Sequence, residues 1–117
     1  MKMKPAPEHW SKAFEAAVAE DPRVERKKMF GYAAIFVNGN HAAGLHSDGL
    51  VLRLAPADRD KILAEGGRPF EPMKGRVMGG YFVAPDSFAK NKATLRAWLD
   101  RSIAHAASMP PKAKKKA

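Results

Sequence analysis

The sequence predicts an α+β domain, a two-layer sandwich in which helices pack on one face of an antiparallel sheet. Two observations lead to this fold class: apolar residues recur at helical spacing near both ends of the chain, and short extended runs separated by turn residues lie between them. The predicted order is helix, β-meander, helix, strand, helix. With 117 residues and 45% hydrophobic composition, the chain is long enough for one core. We expect a flexible N-terminus at residues 1–7, one domain at residues 8–108 and a disordered, Lys-rich tail at residues 109–117.

The first helix is predicted from the segment "EHWSKAFEAAVAE", residues 8–20. Trp10, Phe14 and Val18 recur every four residues, which places them on one apolar stripe. Asp21-Pro22 ends the pattern, because proline cannot continue a helix.

The meander follows in the runs "VERKKMF", "YAAIFVN" and "HAAGLHS". Asn38-Gly39-Asn40 and Ser47-Asp48-Gly49 separate successive runs and consist of residues that tolerate the positive φ of tight hairpins. The next strand, "LVLRL", alternates: Leu50, Leu52 and Leu54 point to one face, and Val51 and Arg53 to the other. We expect the leucine face to be core and the other face to be wet. Val51 and Arg53 are therefore candidate interface residues.

The second half of the chain is predicted to contain two helices and a strand. A short helix in "ADRDKILAEGG" turns Ile62 and Leu63 inward and stops at two glycines. The segment "RPFEPMKGR" is expected to be a loop before the strand "VMGGYFVAP". Asp86-Ser87 is expected to cap the last helix. The inward stripe of this helix consists of Leu95, Trp98, Leu99 and Ile103.

The polar residues do not form a recognisable catalytic motif. The sequence lacks a nucleophile elbow, a phosphate-binding glycine loop and a dinucleotide fingerprint. His41 and His46 are five residues apart, which would put them on opposite faces of an extended strand, wrong for a shared metal ion. We therefore expect no enzyme and no catalytic, metal-binding or cofactor-binding residues. A small-molecule enzyme or binder is a remote alternative, with a pocket in the segment from Met73 to Gly80.

The net charge of +9 is concentrated at the ends of the chain, since residues 5–111 carry only +3. A nucleic-acid-associated protein is the second functional hypothesis, with weak and nonspecific binding. A base-stacking platform is not expected, because most aromatic residues are needed for the core. The candidate nucleic-acid contacts are Lys27, Lys28, Arg53, Lys74, Arg76, Lys112, Lys114, Lys115 and Lys116.

The composition of the chain predicts its cellular location. No apolar run approaches the roughly 20 residues that span a bilayer, so no membrane contact is expected. The absence of cysteine excludes disulfides and agrees with a reducing compartment. We expect a cytoplasmic protein.

Five motifs stand out along the chain: Met29-Phe30-Gly31, Val37-Asn38-Gly39-Asn40, Ala43-Gly44-Leu45, Pro69-Phe70-Glu71-Pro72-Met73, and Gly75-Arg76 with Met78. Together they resemble the TfoX N-terminal domain family, which is related to the TfoX and Sxy competence regulators. The resemblance covers roughly residues 9–112.

The resemblance implies a two-layer α+β fold and a bacterial regulator linked to natural competence, of which this chain is a stand-alone short member. It assigns no catalytic residue and no cofactor. The leading hypothesis is therefore a non-enzymatic regulatory or adaptor domain that acts through protein contacts. The partner is another protein or a second copy bound at a sheet edge or the uncovered sheet face.

Overall fold

The computed structural model describes residues 6–18, 21–29, 32–47, 49–71, 75, 77 and 79–109. These residues form a six-stranded antiparallel sheet with three α-helices, which confirms the predicted fold class. The predicted flexible ends lie mostly outside the described residues and stay predictions. The elements are α1 (Glu8–Val18), β1 (Glu25–Met29), β2 (Tyr32–Val37), β3 (Asn40–His46), β4 (Gly49–Arg53), α2 (Pro56–Ala64), β5 (Arg68–Pro69), β6 (Tyr81–Val83), a 3₁₀ helix (Asp86–Lys90) and α3 (Lys92–Ser108).

The sheet has the strand order β1-β2-β3-β4-β6-β5, so β1 and β5 form its two edges. The hairpin between β2 and β3 is the one that the sequence predicts. Asn38 and Gly39 both have positive φ, 53° and 83°, as the two central residues of a type I′ turn require. This turn fits the twist of the flanking strands.

A β-bulge interrupts the pairing of β2 with β3. Ile35 pairs with Ala43 and Phe36 pairs with His41, so Ala42 has no partner on β2. Ala42 and Ala43 are both fully buried in the main core. Because two successive residues face the core, the alternation of β3 shifts by one and His41 points to the opposite face.

The main core lies between the sheet and the helices, all on one side. The predicted stripes of α1 and α3 are confirmed, since each of their large apolar residues is at most 7% exposed. Leu50, Leu52 and Leu54 meet them from the sheet and are fully buried. Burial of each such side chain contributes about 1.5–3 kcal/mol.

In α2, the prediction for Leu63 is wrong. Ile62 is fully buried, whereas Leu63 is 42% exposed. Adjacent helical residues point about 100° apart, so a short helix with a narrow contact buries only one of them.

The start of α3 also differs from the prediction. Asp86-Ser87 opens the 3₁₀ helix, and Asn91 caps α3 by accepting a hydrogen bond from the Thr94 backbone N–H at 3.0 Å. Asp86 instead accepts a 2.9 Å hydrogen bond from the indole Nε1 of Trp10. The carboxylate thereby satisfies the polar atom of a buried ring.

The segment after α2, predicted as a loop, contains β5. This strand pairs with β6, and the Phe70 N–H donates to the Tyr81 carbonyl at 2.9 Å. Phe70 is buried and packs on Val51 and Val83 as a second small cluster. The expectation that Val51 lies on a wet face is therefore wrong, because Phe70 and its neighbours leave Val51 only 4% exposed.

Candidate binding surfaces of the sheet

The face of the sheet opposite the helices, here called the open face, carries a line of aromatic rings. Phe36 and His41 lie edge to face with ring centroids 5.3 Å apart. His41 and Tyr81 follow with centroids 5.5 Å apart. We call Phe36, His41 and Tyr81 the ring row. All three side chains are half-buried, so each keeps part of its surface in solvent.

Two cations flank the ring row. The Lys27 Nζ lies 5.7 Å from the centroid of Phe36 at one end, and the Arg53 Cζ lies 5.4 Å from the centroid of Tyr81 at the other. Arg53 also donates to the His41 carbonyl at 3.3 Å. No carboxylate of the described residues forms an ion pair with Arg53, so its charge is offset only by dipoles and ring faces.

The geometry of His41 depends on the glycine two strand positions away on the open face. A Cβ added to Gly44 would come within 3.1 Å of the His41 Nε2 and 3.0 Å of the Ala34 Cβ. The ring of His41 therefore lies over Gly44, where a side chain would displace it.

The electrostatics of the ring row follow from burial. Burial, helped by the charge of Arg53, lowers the pKa of His41 to about 4. Burial raises the pKa of Tyr81, although Arg53 opposes this shift. Both rings are neutral at pH 7, and the buried Nδ1 of His41 has no hydrogen-bond partner. The positive charge beside the ring row thus comes from Arg53 and from Lys27, whose charge is offset by the Glu25 carboxylate at 3.7 Å.

A second group of rings lies beside the row on the same face. His46 contacts Tyr32 with centroids 5.2 Å apart and Phe70 with centroids 4.9 Å apart. Both histidines of β3 therefore lie on the open face, and the prediction that they occupy opposite faces is wrong. The bulge at Ala42 causes this, and no periodicity of the sequence reveals it.

The edge formed by β1 is the second surface of interest. Glu25, Arg26, Lys27 and Lys28 are all exposed. Arg26 pairs with Glu15 of α1 at 3.0 Å, and Lys27 pairs with Glu25 at 3.7 Å. In the described part of the chain, β1 has a strand neighbour on one side only.

The structure separates the predicted site residues. It brings Lys27 and Arg53 to the two ends of the ring row, whereas Lys28 alternates to the helix side of β1. Val51 lies beneath Phe70. The candidates Lys74, Arg76, Lys112, Lys114, Lys115 and Lys116 lie outside the described residues.

Three further kinds of site concern metal ions, small molecules and membranes. Within the described ranges, no group of three or more His, Asp or Glu side chains is placed to hold a metal ion. An open cavity of about 450 Å³ lies between α1 and the start of α3, lined in part by Lys12, Lys90 and Leu95. It lies away from the segment 73–80, where a pocket was expected and where four of the eight residues are outside the described part. None of the described helices is both long and apolar enough to cross a bilayer.

These features define an α+β domain whose six-stranded sheet is covered by helices on one face and lined by rings and cations on the other. The family model of the TfoX N-terminal domain matches residues 16–106 of the 117-residue chain. The chain belongs to the TfoX N-terminal domain family and is a competence-regulator-like domain. No curated protein and no solved structure matches it significantly.

Proposed function

We propose that this chain is a non-enzymatic regulatory adaptor, and that its protein partner adds an acidic strand along the outer edge of β1. The observation that carries the proposal is the position of β1, an exposed five-residue strand at the end of the sheet. An edge strand presents backbone N–H and C=O groups that an extended segment of another protein can pair with.

The side chains of β1 select the chemistry of that segment. Arg26, Lys27 and Lys28 are consecutive and exposed; Glu15 and Glu25 pair with the first two, so the edge keeps a net charge of +1 that an acidic strand would complement. A second copy fits this edge poorly. Symmetric antiparallel pairing centred on Lys27 would place like charges directly opposite one another, which destabilises cross-strand pairs.

Family membership supports the regulatory part of the proposal, because the TfoX N-terminal domain is a regulatory-type domain and not a known enzyme family. A role of this chain in natural competence, as in the competence regulators of the family, is part of the same proposal. Such a regulator would act in the cytoplasm, and the absence of cysteine agrees with a reducing compartment.

A photo-crosslinking experiment tests the edge. Since the chain has no cysteine, Lys28→Cys gives a unique attachment point for a benzophenone probe, and Lys61→Cys on exposed α2 gives a matched control. We expect a single adduct from position 28 in a cell extract and none from position 61. With the purified partner, amide hydrogen exchange should slow in β1.

Two results would count against this proposal. Equal adducts from both positions would mean that the capture is nonspecific. An adduct of twice the chain mass would show that a second copy, and not an acidic strand, occupies the edge.

A further inference from the structure

The ring row and its two cations have the composition of a nucleic-acid stacking surface. Aromatic rings on a sheet face that remain partly in solvent can stack against unpaired bases, and cations beside them can hold phosphates. From this juxtaposition we propose that the open face binds single-stranded nucleic acid. A base stacks on Phe36 or Tyr81, and Arg53 holds a neighbouring phosphate. The inference concerns the open face and shares only Lys27 with the proposal for the β1 edge.

Packing does not fully account for the ring row, although Tyr81 packs against the second cluster of Val51, Phe70 and Val83. Phe36 belongs to neither hydrophobic cluster, although it is a large apolar residue in the middle of the sheet. His41 and Tyr81 continue the row with centroid distances that suit ring contact. A base stacked on Phe36 or Tyr81 would add one more ring to a row whose own contacts are edge to face at Phe36 and tilted at Tyr81.

The prediction that the core uses most aromatic residues is confirmed for the described Trp, Tyr and Phe residues, since six of the nine are buried in the two hydrophobic clusters. Five of the described aromatic residues lie in the main core, but Tyr32, Phe36 and Tyr81 are half-buried, and the bulge adds His41 to them. The main-core residues are Trp10, Phe14, Phe82, Phe88 and Trp98.

Charge decides between nucleic acid and other aromatic-binding partners. The open face carries Lys27, Arg53 and the exposed Arg68, whose register partner Val83 lies on this face. Glu25, whose register partner Phe36 lies on this face, pairs with Lys27 and offsets its charge, so Arg53 and Arg68 carry the net positive charge. The full chain has a net charge of +9, which attracts a polyanion. An acidic peptide would use the cations alone, whereas single-stranded nucleic acid uses both cations and rings.

Duplexes do not fit the same surface. Base faces are stacked inside a double helix and are unavailable to protein rings, so the ring row recognises unpaired bases. A second copy packed face to face on the ring row would bring its own cations against Lys27 and Arg53, which costs energy without an intervening anion.

Fluorescence anisotropy of the full-length protein with fluorescein-labelled dT15, U15 and a 15-base-pair DNA duplex, at physiological salt, tests the proposal. Phe36→Leu removes a ring while keeping an apolar side chain. Arg53→Gln removes the cation, and Arg53→Lys restores the charge without the planar guanidinium. Lys61→Gln, on exposed α2, is the matched control for the loss of one charge. A variant with all four tail lysines changed to Gln separates the tail from the folded domain. Circular dichroism checks that each variant is folded.

We expect dT15 or U15 to bind more tightly than the duplex. Phe36→Leu should weaken this binding by roughly 5- to 100-fold, the range for loss of one stacked base. Arg53→Gln should weaken it by about 10-fold, Arg53→Lys should restore part of it, and Lys61→Gln should change it by less than about 2-fold.

Three results would overturn the proposal. The first is equal binding of duplex and single strand. The second is binding that disappears with the tail lysines and is unchanged by Phe36→Leu and Arg53→Gln. The third is a change in molecular mass on light scattering in these two variants with no change in anisotropy, which would assign the open face to a second copy. None of them bears on crosslinking at position 28, so this inference and the adaptor proposal fail separately.

Discussion

Asp21 joins the turn after α1 to the second turn of α3, and its replacement by Asn tests how the two outer helices are held together. One carboxylate oxygen accepts hydrogen bonds from the Arg23 backbone N–H at 3.0 Å and the Arg23 Nε at 2.9 Å. The other accepts from the Arg23 Nη2 at 2.7 Å and the Arg96 Nη2 at 2.6 Å. The side chain of Asp21 is 1% exposed, so water does not replace these donors.

The expected loss of stability follows from the hydrogen bonds that Asn at position 21 can still accept. Its amide oxygen keeps two of the four hydrogen bonds, but its NH₂ group cannot accept from the two guanidinium groups. Each hydrogen bond to a charged group contributes about 1.5–3 kcal/mol. The Arg23 and Arg96 side chains are 46% and 39% exposed and regain hydration when released. We therefore expect Asp21→Asn to lower the free energy of unfolding by about 2 kcal/mol and the Tm by about 8 °C.

The effect should depend on pH in a definite direction. Hydrogen bonds from Arg23, and then from Arg96, hold the pKa of Asp21 well below its usual range. The unfolded chain, with an Asp pKa of about 3.9, therefore takes up a proton first as the pH falls. The contribution of Asp21 is complete at neutral pH and is lost progressively below about pH 4. Asn does not titrate, so the difference in the free energy of unfolding between wild type and variant should narrow at acid pH.

Urea denaturation at pH 7 and pH 3 measures both quantities, with Asp60→Asn on exposed α2 as the matched control. The control should stay within about 0.5 kcal/mol of wild type. If Asp21→Asn behaves like the control at pH 7, or if its effect is as large at pH 3, the carboxylate does not hold the helices as described.

Two further predictions concern the contacts around the sheet. Gly49→Ala should lower the Tm markedly in a thermal melt. Gly49 has a φ of 124°, and an added Cβ would lie 2.8 Å from the Trp10 Nε1. A Tm unchanged from wild type would mean that Trp10 can move aside. In an NMR titration, the ring of His41 should change protonation near pH 4. Arg53→Gln should raise that midpoint only slightly, since burial lowers the pKa of His41 more than the charge of Arg53 does. A midpoint near pH 6.5 in wild type would instead show that the ring is solvated.

The spacing of residues along the chain was sufficient to predict the elements whose conformation depends on neighbouring residues alone. The stripe of Trp10, Phe14 and Val18 predicted α1, because a helix repeats every 3.6 residues whatever it packs against. Asn38-Gly39 predicted the β2–β3 hairpin, because only residues that tolerate positive φ fit that turn. The resemblance read from the sequence was confirmed by the family match over residues 16–106.

The sequence did not show where the uncovered side chains would lie. His41 and His46 appeared to face opposite ways, and only the unpaired Ala42 put both on the open face. The small residues of Ala42-Ala43-Gly44 are the one local sign of close backbone approach, and they do not indicate which residue is the bulge.

The sequence by itself determined the α+β class, the family and the two apolar stripes that cover the sheet, since these depend on periodicity and residue type. The tertiary structure decided which residues of the sheet stay accessible. Phe70 covers Val51 from 19 positions away along the chain, and the ring row joins Phe36, His41 and Tyr81 from three strands. Register and bulges arise from the pairing of distant segments, so a one-residue shift in β3 put His41 on the same face as His46.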